Sequence, residues 1–254
     1  MTSPLFLSRA RLRSRRGEAL ASVAPLLLPT SGAERNAAAH RIVWLLFQST
    51  PDVAQETNWR QTEQGYLWRD DGDGRYLILS REQPHDPHDI FDLETQEFAP
   101  KLSEGDRLKF ALRANPVVSS KSEFTDEQKR NRGKRVDVVM NALKAVHQTN
   151  WSSKTGRAFE RDRLVTETTQ AWLVHQGGKH GFKLSSEGGF IAEGYSQVQV
   201  ARGSRNRRRA AGFSVVNLTG EIAVTDPAAF LSRLPLGFGS AKAFGCGLML
   251  IRRS

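Results

Sequence analysis

The chain has 254 residues, 37 of them lysine or arginine against 27 aspartate or glutamate, for a formal net charge of +10. That length suits one large or two small globular domains, and the charge favours a polyanionic partner, nucleic acid first, through phosphate neutralisation and counterion release. No uncharged run reaches the ~20 residues of a membrane-spanning helix, and a single cysteine, Cys246, permits no internal disulfide, so a soluble protein of the cytoplasm is expected.

In chain order, "PLFLSRARLR" alternates, with Leu5, Leu7, Arg9 and Arg11 on one side and Phe6, Ser8, Ala10 and Leu12 on the other, which is a strand period. The apolar stretch "ALASVAPLLLP" that follows the first arginines contains two prolines and precedes no convincing cleavage site, so it reads as packing and loop rather than a secretion signal. Ser31 and Glu34 have capping-box spacing and predict a helix to about Phe47. Ile42, Val43, Leu45, Leu46 and Phe47 make its apolar arc, with His40 and Trp44 at the edge and Arg41 outside.

"GYLWRDDGDGRYLILSRE" is a hairpin signal, two apolar runs joined by Asp-Gly pairs. "LKFALRANP" predicts a further strand with Leu108, Phe110 and Leu112 on one face, Arg113 on the other, and Pro116 near its end. Residues 119–135 lack apolar periodicity and are basic, which places an inter-domain link there, between a first domain at 1–118 and a second at 136–254. The second half reads as helices near 136–148 and 158–176, the latter ended by Gly177 and Gly178, and then a long hairpin with an arginine-loaded tip. A short helix from Asp226 and Pro227, a glycine stretch and a last strand, "LMLIRR", complete it. Two α+β units account for this order.

The glycine stretch "GFGSAKAFGCGL" has the spacing G-x-G-x-x-K-x-x-G-x-G through Gly237, Gly239, Lys242, Gly245 and Gly247. It is neither a P-loop nor a dinucleotide fingerprint, since it follows a helix and leads into a strand. It reads equally as a backbone surface for phosphates, as packing against a neighbouring domain, or as a tight helix-to-strand turn. Arg202, Arg205, Arg207, Arg208 and Arg209 form the densest positive run, whose mutual repulsion a polyanion would relieve, and Lys134 and Arg135 extend that charge. Residues 70–106 are acidic by contrast, a face that avoids RNA and is either simply solvated or docks a basic protein. Of six histidines, His85 and His88 flank a loop proline and His147, His175 and His180 sit near helix ends. His40 stands where an apolar arc meets solvent, a place suited to proton transfer.

Several segments together resemble the CasE family, the CRISPR-associated repeat-RNA endoribonucleases of the type I-E Cascade system. The segments are "GFGSAKAFGCGLMLI", "LTGEIAVTDPAAF", "GDRLKFALRANPVVSSK", "GKRVDVV" and "NAAAHRIVWLLF". The resemblance implies an α+β fold of two tandem ferredoxin-like domains related to the RNA-recognition fold, and cleavage of precursor RNA at repeat hairpins without a metal or other cofactor. It also implies that the product is kept within Cascade among other protein subunits, and it puts the catalytic histidine at His40. Members often carry a tyrosine three residues earlier, where this chain has Ala37, so no phenol assists there.

The expected reaction is attack of the ribose 2′-hydroxyl on the adjacent phosphate, giving a 2′,3′-cyclic phosphate and a 5′-hydroxyl, with His40 moving a proton as acid or base. Arg202, Arg205, Arg207, Arg208 and Arg209, with Arg113, Lys134, Arg135 and Lys242, are the expected RNA contacts, reading A-form shape. A noncatalytic subunit that binds RNA hairpins is the alternative reading, and an unrelated DNA-binding protein a third.

Overall fold

The computed structural model describes residues 4–13, 32–47, 65–120, 134–146, 154–200 and 211–254. These form an α+β fold in two compact units. One takes in Met1–Leu102, Val198–Phe213 and Leu231–Leu248, the other Ser103–Gln197, Ser214–Phe230 and Met249–Ser254. The arginines at 202, 205, 207, 208 and 209 lie outside the described residues.

The first unit contains β1 (Phe6–Leu12), α1 (Gly32–Trp44) with a 3₁₀ turn at Leu45–Phe47, β2 (Tyr66–Gly72), β3 (Arg75–Ser80) and β4 (Phe91–Glu97). Its sheet runs β2-β3-β1-β4 with antiparallel neighbours. The alternation of β1 is realised, with Ser8 and Ala10 buried and Arg9 and Arg11 exposed, and the Ser8 hydroxyl shares a 3.0 Å hydrogen bond with Thr95. Ile42, Val43 and Leu46 of the helical segment are buried with Ala10, Trp68, Tyr76, Ile78 and Phe91 in one core. The β2–β3 turn needs left-handed backbone at Gly72, Asp73 and Gly74, residue types that supply it at low cost.

β4 is a strand that the acidity of residues 70–106 hides. Asp92 and Glu94 are the outward side of an alternation that turns Phe91 inward, and they are answered by Arg9 of β1, 3.3 Å from Glu94, and by Arg13 just after β1, 2.8 Å from Asp92. Part of the acidic face is thereby neutralised within its own sheet.

The second unit contains β5 (Arg107–Ala114), β6 (Val117–Ser120), β7 (Lys134–Asp137), α2 (Val138–Val146), α3 (Lys154–His180), β8 (Phe182–Leu184), β9 (Ile191–Val200), β10 (Ala211–Val224), α4 (Pro227–Arg233) and β11 (Met249–Arg253), the ends of β9, β10 and α4 reaching past its limits. Its main sheet runs β11-β5-β10-β8, with β9 also on β10. Both sheets follow one plan, in which the last strand lies beside the first and the third on the first strand's other side, as in a ferredoxin-like βαββαβ unit. The second unit has both helical crossovers, whereas residues 81–90 of the first form an irregular connection where a second helix would stand.

Three expectations change. The strand at 107–114 belongs to the second sheet, because Leu108, Phe110 and Leu112 pair with β10 and β11 rather than with any strand before them. The ends of the 119–135 stretch close an antiparallel ribbon inside the second unit, Ser120 opposite Lys134 and Ser119 opposite Arg135, so they do not join two domains. α3 does not stop at Gly177 and Gly178 but runs to His180, with Gly181 in the left-handed conformation after it.

Candidate functional site

His40 lies in the next-to-last turn of α1, with Ala39 and Val43 buried beside it and Arg41 exposed. It is half-buried, as its place at the edge of the apolar arc predicts. Its ring faces the buried indole of Trp68 on β2, the centroids 6.5 Å apart and the planes tilted by 32°. The Nδ1 edge is buried and makes no hydrogen bond among the described residues. Burial first, and then the positive charge of Arg41, hold the imidazole below the usual histidine value, so it is neutral near pH 7. With Nδ1 buried, Nε2 is the nitrogen left for proton exchange, and it accepts a proton in the tautomer that carries its hydrogen on Nδ1.

The glycine stretch belongs to this same unit, not to the second domain where sequence order puts it. After α4 and a 3₁₀ turn at Leu234–Leu236, the backbone is left-handed at Gly237, Gly239, Gly245 and Gly247 and the N–H of Phe238 donates to the carbonyl of Gly247 at 3.0 Å. Two of the glycines have an identifiable neighbour on β2. A Cβ on Gly237 would come within 2.8 Å of Leu67, and one on Gly245 within 3.3 Å of the Trp68 ring. The loop thus lies against the residue that backs His40. Lys242 opens a second 3₁₀ turn, Lys242–Phe244, which packs against α1. Close backbone approach is what the glycines provide, and they bring a lysine to the helix that carries the histidine.

The remaining candidates among the described residues belong to the second unit. Arg113 is half-buried on β5, on the face that also bears Lys109, Lys134 opens β7, and Arg135 is exposed on it. β9 and β10, which flank the arginine-rich stretch in sequence, are tied down at Asp137. Its carboxylate caps α2 by accepting the N–H of Met140 at 2.7 Å, accepts the Tyr195 hydroxyl at 3.1 Å, and also accepts the Ser214 hydroxyl. Arg161 lies over the Tyr195 ring, 5.6 Å from its centroid, and donates to the Tyr195 carbonyl. Sequence reasoning missed Trp68 and Asp137. Asp137 carried a legible signal, an aspartate directly before an apolar helix, whereas nothing local marks Trp68 as the neighbour of His40.

The family described as CRISPR associated protein matches residues 5–253. No curated protein matches the sequence. Among solved structures, "CRISPR endoribonuclease Cse3 bound to 19 nt RNA" is similar with a TM-score of 0.59 at 20% identity, covering 99% of this chain and 100% of that one. Cse3 of Thermus thermophilus bound to an RNA representing a pre-cleavage complex is similar with a TM-score of 0.57 at 19% identity, covering 98% and 99%. The CRISPR-associated protein Cas6e from Escherichia coli str. K-12 has a TM-score of 0.53 at 16% identity, covering 98% and 100%. At such identities the likeness is one of fold.

Proposed function

This chain belongs to the CRISPR-associated protein family and is CasE-like, and from that premise we propose that it is an endoribonuclease that binds repeat hairpins of CRISPR precursor RNA, cuts them, and keeps the product as a Cascade subunit. One similar structure is named CRISPR endoribonuclease Cse3, both Cse3 structures hold RNA, and a similar chain occurs in a "CRISPR RNA-guided surveillance complex". The observation that carries the catalytic part is His40, a half-exposed imidazole kept neutral by burial and by Arg41, on a helix packed against the Lys242 turn.

In this reading Nε2 of His40 takes the proton of the 2′-hydroxyl beside the scissile phosphate. The 2′-oxygen bonds to phosphorus, the bond from phosphorus to the 5′-oxygen breaks, and that oxygen takes a proton from water. RNA supplies the nucleophile, so the protein's task is positioning and charge compensation on the crowded phosphorus. Lys242, on the turn packed against α1, contributes positive charge in this reading. Arg202, Arg205, Arg207, Arg208 and Arg209, with Arg113, Lys134 and Arg135, hold the hairpin backbone.

The test is a repeat-hairpin RNA incubated in EDTA with the protein, beside His40→Ala and a substrate lacking the 2′-hydroxyl at the cut site. Cleavage is expected only from the unmodified pair, with a 2′,3′-cyclic phosphate on the upstream product. Undiminished cleavage by His40→Ala removes His40 from the mechanism. Tight binding without cleavage by the unmodified protein leaves the noncatalytic subunit, a reading that Ala37 favours by removing the phenol.

A further inference from the structure

The outward face of the second unit's sheet holds a groove of about 750 Å³ that the cleavage chemistry does not use. Lys109, Ala111, Thr219, Leu250 and Arg252 line it, with the backbone of Gly188 and Gly189 at its side. Strand alternation produces this face. Leu108, Phe110, Leu112 and Ala114 of β5 are buried on the inner side, which leaves Arg107, Lys109, Ala111 and Arg113 outward. On β11, Met249 is buried opposite Leu112, so Leu250 and Arg252 turn outward opposite Ala111 and Lys109.

Among the described residues, the charges on this face do not balance. Lys109 and Arg252 are direct cross-strand neighbours, an arrangement of like charges that a sheet tolerates at a cost. Glu221 lies opposite Lys109 on β10, but its carboxylate is engaged by Arg107 at 2.5 Å and by the Ser254 hydroxyl at 2.9 Å, and Glu187 is also engaged by Arg107 at 2.9 Å. Among the described residues, Arg107, Lys109, Arg113, Lys183 and Arg252 therefore share this face, while the carboxylates of Glu187 and Glu221 are already occupied by Arg107. The groove is also kept open by composition. A Cβ on Gly188 would strike the Glu221 side chain at 2.3 Å, so this backbone lies tight on the sheet, whereas one on Gly189 would meet nothing within 4 Å. A space of this size suits a small ligand, here a nucleotide or two of one strand, and is far too small for a duplex.

We propose that this groove binds a single-stranded RNA segment continuous with the hairpin, its phosphates held by Lys109 and Arg252. The proposal rests on the RNA reading above and adds a second contact zone to it. Unpaired cations over small residues give the sequence-tolerant backbone grip that a strand of any sequence requires.

Binding is measured with two RNAs that lack the cut-site 2′-hydroxyl, the repeat hairpin alone and the hairpin with a single-stranded extension, over a series of salt concentrations. The extended RNA should bind wild type more tightly. Lys109→Ala with Arg252→Ala should weaken the extended RNA about tenfold and reduce the slope of log affinity against log salt by about 1.4, the value for two single-strand phosphates. The hairpin alone should bind the double variant as it binds wild type. Gly189→Leu, which adds bulk at the side of the groove without removing charge, should reproduce the loss if the double variant fails to fold. Equal losses for both RNAs, or unchanged affinity for the extended one, overturn the groove assignment. Failure of wild type to bind either RNA would instead overturn the function on which it rests.

Discussion

Trp68 stands directly behind His40, its ring centroid 6.5 Å from the imidazole, and Gly245 lies against the same indole. The chain from Gly245 through Trp68 to His40 joins a loop near the C-terminus to a helix near the N-terminus. Gly245 is left-handed, with φ of 76°, and a Cβ there would press within 3.3 Å of the ring. Gly245→Ala should therefore cost ~1–2 kcal/mol in backbone strain alone, seen as a lowered denaturation midpoint. It should also slow cleavage more than it weakens hairpin binding, because the indole must shift behind the histidine. A variant that loses stability but cleaves at the wild-type rate would separate the loop from the site.

The depressed pKa of His40 fixes the direction of two pH effects. A general base works only when neutral, so kcat/KM should fall tenfold per pH unit on the acid side, with an apparent pKa below the ordinary value of about 6.5. A fall on the alkaline side instead would assign the proton-donating role. For stability, the unfolded chain takes up this proton before the folded one does. The contribution is therefore fully present above about 6.5 and is lost as pH falls through the folded-state value. His40→Gln should flatten that part of the stability profile. Arg41→Gln should move the acid limb of the rate profile upward, less so in high salt, because Arg41 is exposed.

Asp137 joins a helix cap to β9 and β10. Asp137→Ala removes the cap and strands the Tyr195 and Ser214 hydroxyl donors, and should cost ~2–3 kcal/mol. Tyr195→Phe removes one donor and should cost about 1 kcal/mol. Burial and the nearby Asp137 carboxylate push the Tyr195 phenol up to about 12, so it remains a donor throughout the neutral range. Denaturant midpoints for the two variants measure the difference. Because β9 and β10 flank the arginines from 202 to 209 in sequence, the Asp137 variant should also bind hairpin RNA more weakly than its remaining folded fraction accounts for.

What could be read from the sequence was local. The alternation of Ser8 and Ala10 with Arg9 and Arg11, the apolar arc around Ile42, Val43 and Leu46, and the boundary position of His40 are all periodicities within a few turns, and the structure keeps them. β4 was hidden because its outward acids dominate the composition, and the arginines that answer them, Arg9 on β1 and Arg13 just after it, are far away in sequence. The membership of β5 was hidden for a related reason. A run such as "LKFALRA" specifies a strand with one apolar face but not which strands will flank it, and its partners come more than a hundred residues later. The glycine stretch announced close approach without saying to what, since Leu67 and Trp68 are equally remote from it.

Gly177 and Gly178 show how adjacent glycines in one helix differ in kind. Both lie near the end of α3, where the sequence suggests a stop, and neither has positive φ. A Cβ on Gly177 would sit 2.3 Å from the carbonyl oxygen of Phe182, a backbone atom that cannot swing aside. At Gly178 it would meet nothing within 4 Å. Gly178→Ala should therefore stabilise the protein by roughly 0.5–1 kcal/mol, the usual gain from replacing a helical glycine. Gly177→Ala gains the same propensity but must displace the start of β8, whose Phe182 ring packs 5.4 Å from that of Phe230. Its net effect should be destabilising, by ~1–3 kcal/mol as for other overpacked positions. Paired thermal melts of the two variants give the comparison, and a stabilised Gly177→Ala would mean that α3 does not pack on β8 as described.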